Sequence, residues 1–320
     1  MGVTQLGGTQ TQLGGTQILQ EPGDPGPYGP VGRSPWLDVD WREHQRWVMV
    51  ENQPVNTIQL GREGTQPIVF VHGLSGCWQN WLEQLPLFAA EHRVIALDLP
   101  GFGHSPMPRG EVSINGYARI LDALLGELGI EAATVVGNSM GGFIGAELAI
   151  SFPQRAERLM LVSAAGLSTY NDPRTTRTMP ALRRIERVVA ASAAWLAARS
   201  DAVTRRPRLR EAVMKVAAHH PGRLPGPLVA EQVRGAGKPG FIPALQAIVD
   251  YDVRERLPEI ACPTLIVWGE KDLLISVRDA EEFERLIPNS RRVLYPDTGH
   301  VAMLERPAAF NALLAQFLAA

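Results

Sequence analysis

The chain has 320 residues, with 31 Lys+Arg against 33 Asp+Glu and a formal net charge of −2, a balance that argues against nucleic acid as its main partner. At 45% hydrophobic and 20% charged it can bury a sizeable core, and no apolar run reaches the ~18 residues of a membrane span. Two cysteines, Cys77 and Cys262, exclude a disulfide framework, and no CxxC or HExxH spacing calls for a metal.

Residues 1–35 hold 14 of the glycines and prolines and a tandem TQLGGTQ at 4–10 and 11–17. Each unit carries one Leu and a Gly pair, so the repeat offers no continuous apolar seam, and a flexible low-complexity tail is expected. It lacks the basic and apolar regions of a secretory signal, so a cytoplasmic location is the expectation.

From residue 41 onward the pattern changes. Residues 46–50 and 55–60 read as two short strands around a turn at 52–54. Runs with an apolar centre follow at 67–71 (PIVFV), 93–98 (RVIALD), 134–137 (TVVG), 158–163 (RLMLVS), 264–268 (TLIVW) and 291–295 (RRVLY). Runs without alternation suit parallel strands buried on both faces. Helical spacing at 114–128, 140–151, 277–286 and 308–318 separates them. The βαβα order predicts an α/β fold with a mostly parallel, doubly wound sheet. Residues 164–263 break that rhythm with helix patterns rich in Ala and Arg, at 180–200 and 209–218, and no convincing strand. The expected organisation is a tail (1–35), a core (36–165 and 253–320) and an inserted helical cap (166–252).

The strand at 134–137 leads into Gly137-Asn138-Ser139-Met140-Gly141-Gly142 and then an apolar helix. This is G-x-S-x-G in strand–turn–helix context, the setting of a nucleophile elbow. The turn must be tight enough to project the Ser139 hydroxyl above the sheet, so positions 137 and 141 must lack side chains. The helix start beneath offers the Met140 N–H to an oxyanion. A serine also needs a base. Of the seven histidines (His44, His72, His92, His104, His219, His220 and His300), His300 fits best, because it follows the last strand and precedes the last helix. His72 is expected to brace its loop, and His104 to hold the tight turn at 100–105. The acid that fixes the imidazole is expected at Asp272, after the strand at 264–268, with Glu270, Asp250, Asp252 and Asp297 as rivals. The second oxyanion donor is expected from the Leu74 N–H, in His72-Gly73-Leu74-Ser75-Gly76. Trp78, Leu182, Val189, Leu196 and Val301 are candidate substrate-binding side chains.

Together these motifs resemble the α/β-hydrolase superfamily over residues 41–320: His72-Gly73, Asp98-Leu99-Pro100-Gly101-Phe102-Gly103-His104-Ser105, the elbow, Trp268-Gly269-Glu270-Lys271-Asp272 and Gly299-His300. The order Ser139, Asp272, His300 matches that of the superfamily. The elbow is similar to that of hydrolases acting on meta-ring-cleavage products, but the loop after His72-Gly73 lacks their glycine- and proline-rich stretch. The resemblance implies a serine hydrolase working through an acyl-enzyme, without metal or organic cofactor. Its expected substrate is a small apolar carboxylic ester held under the cap, and its expected state a monomer or homodimer. Carbon–carbon hydrolysis of a meta-cleavage product and ligand reception with little turnover are the alternatives.

Overall fold

The computed structural model describes residues 26–170 and 200–320. The apolar runs become strands: β1 (Gln45–Val50), β2 (Gln53–Leu60), β3 (Pro67–Val71), β4 (Arg93–Leu97), β5 (Ala133–Asn138), β6 (Ala156–Val162), β7 (Thr264–Gly269) and β8 (Ser290–Tyr295). Among the described residues they form one sheet in the order β1-β2-β4-β3-β5-β6-β7-β8. The β1/β2 and β2/β4 pairs are antiparallel, and every pair from β4/β3 to β7/β8 is parallel.

Because side chains alternate across a strand, each run feeds both faces of the sheet. Val69, Val71, Ile95, Leu97, Val135, Leu161, Ile266 and Trp268 enter one buried cluster. Ile68, Phe70, Val94, Ala96, Val136, Met160, Leu265 and Val267 enter the other. Burial of each large side chain contributes about 1.5–3 kcal/mol, so a doubly covered sheet is a rigid base for whatever projects from its edge. Helix Met140–Ser151 lies behind β5 and β6, with every residue from 140 to 150 buried.

Two boundaries differ from expectation. The first hairpin turns at Glu51 and Asn52, with φ of 47° and 62°, and β2 already begins at Gln53. Two left-handed residues make the turn whose twist matches its strands, and Pro54 is tolerated opposite Met49 of the edge strand. The tail boundary at residue 35 is also corrected, because residues 26–34 are fastened to the body. Arg306 Nη1 donates to Gly26 O at 2.7 Å, Gly29 N to Glu305 O at 2.7 Å, and Ser34 Oγ to Glu83 Oε1 at 2.7 Å. Tyr28 and Trp36 are buried, and the Trp36 indole N–H also donates to Glu83. The many glycines and prolines hid two large aromatic anchors.

After β6, the described part of the expected cap consists of helices Ser200–Arg205, Pro207–Met214, Gly226–Arg234 and Phe241–Asp250. The helix expected at 180–200, with candidates Leu182, Val189 and Leu196, lies almost wholly outside the described residues. No described helix is long and apolar enough to cross a membrane.

Candidate active site

β5 ends at Asn138, and helix Met140–Ser151 begins one residue later. Ser139 between them has φ 56° and ψ −118°, a conformation that costs of order 1–3 kcal/mol for a residue with a side chain. The neighbouring backbone enforces it: Ser139 N donates to Val162 O at 2.9 Å, and Ser139 O accepts from Ala165 N at 3.1 Å. A Cβ on Gly137 would lie 2.2 Å from Gly141 O, and one on Gly141 would lie 2.2 Å from Val71 O. Both positions therefore need glycine. Across residues 133–150 only Ser139 is not buried.

His300 is buried on the loop between β8 and helix Ala302–Glu305. Its Nδ1 meets Asp272 Oδ2 at 2.8 Å, and the other carboxylate oxygen accepts from Leu274 N (2.8 Å) and Ile275 N (3.0 Å). With Nδ1–H given to the carboxylate, the neutral ring keeps Nε2 as an acceptor. Burial pushes the Asp272 carboxyl up. The attraction of His300 and the hydrogen bonds from His300, Ile275 and Leu274 outweigh that, leaving it below the usual carboxylate value. The rivals Glu270, Asp250, Asp252 and Asp297 are exposed.

Asn138, a residue that motif reading passed over, ties the serine and histidine segments together. Its Nδ2 donates to His300 O and to Val162 O, each at 3.1 Å. The signal was present as the variable position of G-x-S-x-G, but only the folded chain shows its partner.

On the other side of the elbow, a Cβ on Gly73 would lie 3.1 Å from Ser139 Cβ, so the His72–Gly76 loop borders the serine. Leu74 is half-buried in that loop and packs on the core, and Ser75 has φ 64°. His72 is fully buried; its Nε2 accepts from Leu99 N at 3.0 Å, and its Nδ1 meets Gly73 O at 2.8 Å. Burial lowers its pKa and keeps the ring neutral. Asp98 carries out the bracing expected of His104. Its carboxylate accepts from Trp78 N (2.9 Å), His104 N (2.8 Å) and Asn56 Nδ2 (2.8 Å), whereas the His104 ring is largely exposed.

Of the other candidates, Met140 is buried at the start of the elbow helix. Trp78 is buried against Trp41, with ring centroids 4.9 Å apart, and Val301 is buried beside His300. A separate cleft of about 510 Å³, lined by Val112, Ile114, Ile242, Ala247 and Tyr251 among others, touches none of the candidate catalytic residues. No described group of three His, Cys, Asp or Glu side chains is arranged to hold a metal.

Residues 66–307 match the family model for the alpha/beta hydrolase fold. The chain belongs to this family. It is 31% identical over 262 residues to a dihydrolipoyllysine-residue acetyltransferase component of an acetoin cleaving system from Cupriavidus necator, and 33% identical over 266 residues to its counterpart from Pseudomonas putida. These matches take in 80% and 81% of this chain but only 64% and 65% of those proteins. An enol-lactonase from Burkholderia xenovorans shares the fold with a TM-score of 0.70 at 24% identity, covering 86% of this chain and all of that one.

Proposed function

We propose that this α/β-hydrolase is a serine hydrolase that cleaves small apolar carboxylic esters through an acyl-enzyme. One observation carries the reading: a strained, accessible Ser139 shares the sheet edge with a His300–Asp272 pair held at 2.8 Å, and Asn138 stitches the two segments together. Such an arrangement is costly to fold and has a direct chemical use.

Ser139 Oγ attacks the ester carbonyl while Nε2 of His300 takes its proton. Asp272 holds the tautomer and stabilises the imidazolium. The Leu74 and Met140 amides receive the oxyanion, each such donor contributing about 10²–10³ in kcat. His300 returns the proton to the leaving alcohol, then activates water to release the acid. The acyl pocket is assigned to the space beneath the cap (166–252), with Val301 beside His300 as a candidate lining side chain; Leu182, Val189 and Leu196, the candidates within the cap, lie outside the described residues. Trp78 serves in the core.

The same acyl-enzyme resolved by a thiol instead of water gives acyl transfer. The likeness to two acetyltransferase components is the reason to include that acceptor chemistry in the test. A panel of p-nitrophenyl esters of increasing chain length, a lactone, a ring-cleavage dienoate and an ester with a dithiol acceptor separates the readings. Multiple turnover highest on a short or medium ester supports the proposal. Turnover confined to the dienoate assigns carbon–carbon hydrolysis, and product formed only with the dithiol assigns acyl transfer.

A further inference from the structure

Glu305 is fully buried, and the elbow chemistry makes no use of it. Its carboxylate accepts from Gly299 N at 2.9 Å, from Val301 N at 3.4 Å, from His219 N at 2.8 Å and from the Tyr28 hydroxyl at 2.5 Å. Gly299 and Val301 are the residues on either side of His300. The backbone of His300 itself is held by Ala217 O, at 2.8 Å from its N–H, and by Asn138. One carboxylate therefore joins three distant stretches: the N-terminal arm through Tyr28, the segment after helix Pro207–Met214 through His219, and the loop that carries the histidine.

Tyr28 is itself fixed. Its oxygen accepts from His220 N at 2.8 Å, and its ring lies 5.0 Å from the Arg223 guanidinium and 5.1 Å from that of Arg306. Burial and the Glu305 charge push the phenol up, so it remains a donor across the working pH range. A carboxylate removed from water is costly unless donors surround it, and a hydrophobic side chain would close the same space at lower cost. What packing alone cannot do is hold the two amides flanking His300 at fixed points.

We infer that Tyr28 and Glu305 are positioning residues for His300, so that the N-terminal arm completes the catalytic framework. This rests on the reading of His300 as the general base. Tyr28 keeps Glu305 oriented; Glu305 keeps the His300 loop at the distance the serine requires. A misplacement near 1 Å at a reacting group costs on the order of 10²-fold in rate.

The test compares wild type, Tyr28→Phe, Glu305→Gln and His300→Ala in two assays: ester hydrolysis, and the rate at which a fluorophosphonate labels the protein, which needs an activated serine but little of the acyl pocket. Expected are a loss of about 10-fold in kcat for Tyr28→Phe and about 100-fold for Glu305→Gln, with KM within twofold and labelling slowed in step. Wild-type kcat and labelling rate in both folded variants, while His300→Ala is inactive, would overturn the inference and leave the catalytic reading standing. A rise in KM alone overturns it too, because the residues would then serve binding. Should Glu305→Gln not fold, Tyr28→Phe decides by the same criteria. A fully active His300→Ala removes the catalytic reading and the inference with it.

Discussion

Two buried histidines stand on loops after parallel strands of the same sheet, and their partners set them apart. His72 gives both ring nitrogens to the backbone, at Gly73 O and Leu99 N. His300 gives one nitrogen to a carboxylate that is itself clamped by two backbone amides. A backbone carbonyl and amide saturate an imidazole and keep it neutral, whereas a carboxylate orients the ring, leaves Nε2 available and stabilises the charge that proton uptake creates. The first arrangement holds a loop in shape; the second is equipped to move a proton. Motif position alone does not make this distinction, because both residues follow a parallel strand.

Removing each ring separates the two roles by the largest margin. His300→Ala is expected to lower kcat on the best ester by about 10⁴ or more, as triad members act as a unit. His72→Asn, which loosens the loop that carries Leu74, should cost far less, about 10-fold. Equal losses in the two folded variants, measured by steady-state kinetics, would show that the hydrogen-bond distinction has no catalytic meaning. Asp272→Asn sharpens the point, with an expected loss of roughly 10³–10⁴ because the amide stabilises the wrong tautomer. Glu270→Gln and Asp297→Asn, at exposed positions, should stay within about twofold, the scatter of surface changes. If Asp297→Asn were the inactive variant, the acid would come from the His300 loop.

The individual strands, the strand–turn–helix at Ser139 and the strand-end positions of Asp272 and His300 were legible because each is written locally: an apolar run, a glycine pair flanking a serine, a polar residue at a strand end. The supports were not legible, because they depend on residues far apart in sequence. Glu305 meets Tyr28 across 277 positions, and Asn56 meets Asp98 across 42. Nothing in the local pattern of Gly26-Pro27-Tyr28-Gly29-Pro30 distinguishes an anchored arm from a free one. Composition read that stretch as tail, while two buried aromatic rings hold it down. Deleting residues 1–34 exposes the Glu305 carboxylate and the apolar surface under Tyr28, so a fall of several degrees in the thermal midpoint is expected, at roughly 1.5 °C per kcal/mol for a chain of this size. An unchanged midpoint by differential scanning calorimetry would show that the arm's contacts carry no energy.

The smallest expected effect concerns pH. Burial depresses the His72 pKa from the ordinary 6.5, so the unfolded chain binds a proton there before the native one does. The stability from keeping His72 neutral is present above pH 6.5 and declines as pH falls from there toward its lower native pKa. His72→Asn lacks that titration. The midpoint of wild type should therefore approach that of the variant between about pH 7 and pH 5, a convergence of a few degrees at most. Parallel curves across that interval would mean His72 does not titrate on unfolding.

If Ser139 is the activated nucleophile, intact-protein mass spectrometry after brief fluorophosphonate exposure should find one adduct per chain, mapped to Ser139 by peptide analysis, absent in Ser139→Ala and formed orders of magnitude more slowly in His300→Ala. An adduct on another residue, or unmodified protein under conditions that label a control serine hydrolase to completion, would contradict that role.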